Sequence, residues 1–238
     1  EGFALKTILS AGLLGKKKIN RWVSLFKLPI GTAQSMCFLM RKRPNLVVGV
    51  GGYASGPLVL SAWILRIPIL IHEQNSIPGM TNKWLGKIAN KIAVSFKKSS
   101  EAFPKEKVEV TGNMIREEFC QLKEDIPEKL EGPFRVLVLG GSQGAHSINM
   151  AMVEALESLS EKKGDLHITH QTGEADYEIV NKIYRESNFS CDISPFINDM
   201  ADQYNKASLV ICRAGATTLA EVTACGKMSV LIPFPHAA

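Results

Sequence analysis

Short apolar runs recur along the chain, each ending at a glycine-rich or polar turn and each followed by a longer amphipathic stretch. No other feature constrains the fold as strongly. Strands are predicted over 46–49, 69–72, 92–94, 108–110, 136–139, 167–170, 209–211 and 229–232, with helices between most of them. Strand and helix in steady alternation means parallel strands joined by helical crossovers. The helix predicted after residue 145 carries Ile148, Met152, Ala155, Leu156 and Leu159 at helical spacing, which gives it one apolar face to lay on a sheet.

A length of 238 residues suffices for two such α/β units of about 110 residues each. The pattern lapses in QLKEDIPEKLEGP, a charged run containing Pro127, Gly132 and Pro133. That run is the expected linker, dividing the chain into residues 1–129 and 130–238. A doubly wound unit ordinarily opens with its first strand and ligand loop, whereas EGFALKTILSAGLLGKKK precedes the first clear strand here. The first unit is therefore expected to lack its N-terminal strand and loop. The FPHAA ending, just after a strand, reads as a second cut.

Five cysteines form no C-x-x-C pair and leave one over, which argues against a disulfide framework and a zinc site and points to a reducing cytoplasm. The net charge of +5 is local: Lys6, Lys16, Lys17, Lys18, Arg21, Lys27, Arg41, Lys42 and Arg43 face Glu1 alone in the first 43 residues, and the remainder is net acidic. Leu13, Leu14, Ile19, Trp22, Leu25, Phe26, Leu28 and Ile30 are interleaved with these cations. Two readings stand: a surface that sits against anionic lipid headgroups, or an ordinary amphipathic helix with a solvated basic face. Nucleic acid is not an expected partner, because no reading motif accompanies the patch. Residues 44–65 are uncharged for long enough to imitate a membrane span, but Gly49, Gly51, Gly52, Gly56 and Pro57 interrupt them, so they read as strand, loop and helix.

Three loops carry the chemistry. FRVLVLGGSQGAHSIN, residues 134–149, runs a strand into Gly140-Gly141-Ser142-Gln143-Gly144 and then into a helix, a geometry that brings backbone N–H groups and a helix N-terminus to one anion. It is neither a P-loop nor G-x-G-x-x-G. The 49–54 loop, GVGGYA, does match G-x-G-x-x-A, with Glu73 where a ribose-binding acid would fall, so a nicotinamide or flavin oxidoreductase is a rival reading. In CRAGATTLAEVTACG, residues 212–226, small residues leave room against a helix start, where Thr217 and Thr218 could cap the helix or meet sugar oxygens and Glu221 could accept from a diol. Arg213 and Arg116 are candidate pyrophosphate partners.

With these loops in place, GVGGYASGP (49–57), HEQNSIPGMTNKWL (72–85), VTGNMIR (110–116), GGSQGA (140–145), PFINDM (195–200), CRAGATTLAE (212–221) and PFPH (233–236) resemble, in order and over nearly the whole chain, the MurG peptidoglycan glycosyltransferases of glycosyltransferase family 28. The resemblance implies two Rossmann-like domains of the glycosyltransferase B type, the donor held mainly by the second. It implies inverting transfer of N-acetylglucosamine from UDP-N-acetylglucosamine to an undecaprenyl-linked muramyl-pentapeptide at the cytoplasmic face of the bacterial plasma membrane. No cofactor or bound metal is expected, and no Asp-x-Asp is present to hold one. By the same resemblance Gly140, Gly141, Ser142, Gln143 and Gly144 meet the donor pyrophosphate with Arg116 and Arg213 nearby, and Ile197 frames the uracil. Glu221 takes the ribose, Ala216, Thr217, Thr218 and Leu219 lie near the phosphates and sugar, and Asn75 faces the N-acetylglucosamine. The segment from Lys16 to Leu28 matches the family's membrane-facing region. The family's proposed histidine base and its donor-sugar glutamines fall outside this chain, so a UDP-binding fragment without transferase activity is expected. A non-catalytic nucleotide-sugar module is the third reading.

Overall fold

The computed structural model describes residues 5–8, 18–121 and 132–234, and their side chains apart from those of 18–27, 120 and 121. It forms two compact units, residues 1–113 and 114–238.

In the first unit α1 (Lys18–Lys42) is followed by β1 (Val47–Gly49), α2 (Gly52–Ile64), β2 (Ile69–Glu73), α3 (Met80–Leu85), β3 (Lys91–Val94) and β4 (Val108–Val110). The four strands are parallel and lie in chain order, β1-β2-β3-β4. Leu39 of α1, Val59 and Ala62 of α2, and Ile69, Ile71, Ile92 and Val94 of the strands make one core with Phe103. Ser61 of α2, buried there, donates to the backbone oxygens of Pro57 and, across to α1, Thr32. The uncharged stretch 44–65 is divided between β1 and α2, and among the described residues no helix is long and apolar enough to cross a membrane. Of the segment from Lys16 to Leu28, residues 18–28 are helical; residues 16 and 17 and the side chains of 18–27 lie outside the described part.

The second unit runs α4 (Glu117–Gln121), β5 (Phe134–Leu139), α5 (His146–Ser158), β6 (Leu166–Gln171), α6 (Tyr177–Ser187), β7 (Ser190–Ser194), α7 (Met200–Lys206), β8 (Leu209–Arg213), α8 (Ala216–Ala224) and β9 (Ser229–Ile232). Its five parallel strands are ordered β7-β6-β5-β8-β9. β5 lies in the middle with its last four residues buried, and successive side chains of a strand point to opposite faces. Val136 and Val138 accordingly join Ile148, Met152 and Leu156 of α5 and Val180 and Tyr184 of α6, while Leu137 and Leu139 join Tyr204 of α7, Val222 of α8 and Phe119. The sheet thus carries helices on both faces.

All eight predicted strands are present, with ends within two residues of expectation, and the predicted apolar face of α5 is buried through Ile148, Met152 and Leu156. β7 is the addition. It is an edge strand in which Ser190, Asp192 and Ser194 interrupt the apolar residues, so it lacks the run that marks its neighbours. The units part at 113/114 rather than at 129/130. Phe119 explains the difference: fully buried, it meets the Tyr204 ring edge-on at 5.4 Å and so belongs to the second unit's core. The intervening residues 122–131 lie outside the described part.

Candidate functional site

From β5 the chain winds outward through β6 to β7, then returns across β5 to β8 and β9. The loops after β5 and β8 therefore diverge at a topological switch point, where open parallel sheets hold their ligands. Here those loops are the glycine turn leading into α5 and Ala214-Gly215 leading into α8, so two helix N-termini open on the same strand ends.

The turn is shaped by its neighbours before any ligand arrives. Gly141 and Gly144 have φ of +88° and +76°, and the Gly144 N–H donates to Gly141 O at 3.0 Å. A Cβ on Gly144 would lie 1.9 Å from the carbonyl oxygen of Thr172, just past β6. Gly173 presses back on the turn, with the position of its missing Cβ 2.2 Å from Gln143 O. Ser142 and Gln143 are left exposed at the tip. Gln171, 3% exposed at the end of β6, donates from Nε2 to Gly141 O and accepts the Ile197 N–H at Oε1, both at 2.9 Å. Thr172 and Gly173 donate their N–H groups to Ser194 and Pro195, so the 195–197 segment is fastened to the turn.

On α8, Ala216, Thr217, Thr218 and Leu219 form the first turn after Gly215. The Thr217 and Thr218 hydroxyls bond no other group among the described residues, so neither caps the helix and both remain available. Glu221, half-buried one turn on, accepts from the Tyr204 hydroxyl at 3.4 Å. Burial raises its carboxyl above the ordinary range, against the opposing pull of Arg116. Arg116 lies over the Phe119 ring at 4.8 Å and 3.8 Å from Glu118. Arg213 is engaged elsewhere: it donates to Pro233 O and Ser147 Oγ, tying the first turn of α5 to the chain just past β9.

The second unit also contains a buried polar chain that sequence reading missed. His170 lies between the Tyr184 hydroxyl at Nδ1 and Asn149 Oδ1 at Nε2, and Asn149 Nδ2 donates to Thr172 O and Asp176 Oδ2. Asp176 also pairs with His146 at 3.0 Å. Burial pushes His170 down to about 4, so it is neutral near pH 7. The chain backs the Thr172 carbonyl against which Gly144 packs.

Asn75 belongs to the first unit. It is exposed, with Nδ2 donating to Glu73 and its carbonyl oxygen accepting from Ser99. Glu73 is 1% exposed, and its carboxylate accepts from Asn75 N and Nδ2, Gly79 N and Asn82 Nδ2. An acid so enclosed organises its own loop and cannot receive a ribose, which removes the support for the oxidoreductase reading. His72 spans from β2 toward Gly112 O at 3.4 Å. Among the described residues no three His, Cys, Asp or Glu side chains gather where they could hold a metal ion.

The model for the glycosyltransferase family 28 N-terminal domain matches residues 2–94, and that for its C-terminal domain matches residues 135–238. The chain belongs to glycosyltransferase family 28. It is 50% identical, over 99% of its length, to a Geobacter sulfurreducens protein named UDP-N-acetylglucosamine–N-acetylmuramyl-(pentapeptide) pyrophosphoryl-undecaprenol N-acetylglucosamine transferase. It is 47% identical, over its full length, to a Myxococcus xanthus protein of the same name. The chain spans 65% and 62% of those relatives. A solved structure of Acinetobacter baumannii MurG matches 90% of the chain at 35% identity with a TM-score of 0.69, the chain covering 60% of that structure. The two parallel-sheet units are thus those of family 28, of the glycosyltransferase B type. Of the expected site residues, the second unit holds all but Asn75. Gln171, Tyr204 and Phe119 were not anticipated: a glutamine at a strand end, a tyrosine on a short helix and a phenylalanine just before a charged run carry no sequence signal of their own.

Proposed function

We propose that this chain is the nucleotide-sugar-binding part of an inverting N-acetylglucosaminyltransferase that acts on an undecaprenyl-linked muramyl-pentapeptide, the activity in its curated relatives' names. The observation that carries this reading is the glycine turn at the switch point, preshaped against Thr172 and fastened through Gln171 to Ile197. Gly140, Gly141, Ser142, Gln143 and Gly144 take the diphosphate, assisted by the first turn of α8 at Ala216, Thr217, Thr218 and Leu219. The 195–197 segment borders the uracil, Glu221 accepts from the ribose hydroxyls, and Arg116 offsets the donor's negative charge.

In the reaction the acceptor hydroxyl forms a bond to the anomeric carbon and passes its proton to a general base, while the bond from that carbon to the diphosphate oxygen breaks and its electron pair leaves with UDP. The charge arriving on UDP meets backbone N–H groups and helix N-termini that already point toward it, so little reorganisation is required. Arg213 holds α5, β8 and β9 in register rather than serving as a free anion partner. The protein works at the cytoplasmic membrane surface, where its lipid acceptor resides, with the basic N-terminal region directed to anionic headgroups.

Calorimetric titration of this chain with UDP, UDP-N-acetylglucosamine and NADH tests the reading. Binding of both uridine ligands without NADH is expected; binding of NADH alone overturns it.

A further inference from the structure

We infer that Gln171 is a positioning residue that couples the diphosphate and uracil halves of the nucleotide site, so that filling one raises the affinity of the other. The inference rests on the reading of the second unit as a UDP site.

The amide of Gln171 is buried and both its ends are engaged, Nε2 by Gly141 O and Oε1 by the Ile197 N–H, each at 2.9 Å. Reversing the amide would set oxygen against oxygen and N–H against N–H, so the two partners fix its orientation. Each contact also sets a peptide plane. In a trans peptide the C=O and the following N–H point in opposite directions. Holding Gly141 O inward, where it also accepts from Gly144 N, turns the Ser142 N–H outward at the exposed tip of the turn. Holding the Ile197 N–H inward turns the Phe196 carbonyl outward. One side chain thereby sets the direction of a donor in the glycine turn and of an acceptor in the 195–197 segment, the two places read as the diphosphate and uracil halves of the site.

A second link runs through Thr172 and Gly173, which press on Gly144 and Gln143, but it reaches neither the Gly141 carbonyl nor the Ile197 N–H. Gly141 lies in a turn with positive φ, and the 195–197 segment is a loop beyond the edge strand β7. Thr172 and Gly173 bind the backbone of Ser194 and Pro195 but not Ile197. A diphosphate that orders the Ser142 N–H therefore stiffens the Gly141 carbonyl, the Gln171 amide and the Ile197 peptide in turn, and the base then binds a segment already ordered.

The test measures uridine affinity calorimetrically with and without saturating pyrophosphate, in the wild-type chain, in Gln171→Met, which keeps length without hydrogen bonds, and in Gln171→Glu, which keeps only the acceptor for Ile197. Wild type is expected to bind uridine about fivefold tighter or more with pyrophosphate present. Gln171→Met is expected to lose that enhancement and to bind UDP about tenfold more weakly. Gln171→Glu is expected to keep its affinity for uridine alone and lose the enhancement. Equal weakening of both fragments with the enhancement intact would mean a merely structural role and overturn the inference. If UDP fails to bind the wild-type chain, the underlying reading falls first. Should the variants not fold, exchange of the Ile197 amide in the wild-type chain decides: pyrophosphate alone must slow it, and no change sinks the proposal.

Discussion

Glu221 and His170 are both shifted by burial, and their shifts have different consequences. Burial raises the Glu221 carboxyl above the ordinary range, so it takes up its proton at a pH where exposed carboxylates remain ionised. If the carboxylate accepts from the ribose hydroxyls, affinity must fall as pH drops through that raised value. Uridine, which has no phosphate to titrate, is the suitable ligand. Glu221→Gln is expected to bind uridine about tenfold more weakly at neutral pH, by loss of a charge-assisted hydrogen bond, and to show no acid dependence over the same range. His170 acts on stability. Its ordinary value of 6.5 falls to about 4 in the fold, so between those values the unfolded chain binds more protons than the folded one. Stability is therefore lost as pH falls from about 6.5 toward 4, by about 3 kcal/mol in all. Asp176, lowered by its bonds to His146 and Asn149 against burial's upward push, adds its own loss only below its ordinary value of 3.8. Urea unfolding between pH 7 and 4.5 should show a shallower pH slope in His170→Gln than in wild type, and an unchanged slope would mean that another group dominates.

At the level of elements, the glycine turn separates backbone preference from steric fit. Gly141 and Gly144 both have positive φ, but a Cβ on Gly141 meets nothing within 4 Å whereas one on Gly144 meets Thr172 O at 1.9 Å. Gly141→Ala is expected to cost about 1–2 kcal/mol, the left-handed penalty alone. Gly144→Ala adds a backbone collision that only displacement of the turn from β6 can relieve, so it is expected to cost about 3 kcal/mol or more and to abolish UDP binding. Chemical denaturation of the two variants checks the difference. What the sequence made legible here follows from local rules. A glycine turn between an apolar run and an amphipathic stretch announces strand, turn and helix, which is why β5 and α5 could be read in advance. What it concealed depends on partners distant in the chain: β7 is recognisable only beside β6, and Gln171 acquires its role from Gly141, thirty residues before it, and Ile197, twenty-six after. Glu73 misled for the same reason, since its spacing fits a ribose acid while its four donors, three from the loop after β2 and one from Asn82 of α3, leave no room for one.

Across the whole molecule the division at 113/114 decides which residues belong with the proposed nucleotide site. The charged run before Pro133 suggested a boundary at 129/130, because composition marks where a chain is soluble and not where its contacts change. Arg116 and Phe119 precede that run yet pack into the second unit: Phe119 lies edge-on to Tyr204, Tyr204 donates to Glu221, and Arg116 covers the Phe119 ring while pulling on the Glu221 carboxyl. A fragment of residues 114–238 retains this cluster, and one of residues 130–238 exposes the face of Tyr204 that Phe119 covered. The longer fragment is expected to fold and to bind UDP as the full chain does. The shorter is expected to be less stable by about 3–5 kcal/mol, the usual cost of deleting a buried phenylalanine, and to bind UDP more weakly because Glu221 loses the cation beside it. Phe119→Ala in the full chain separates the two effects: it should reproduce most of the stability loss while Arg116 still acts on Glu221. Equal unfolding midpoints for the two fragments would place the boundary at the charged run after all.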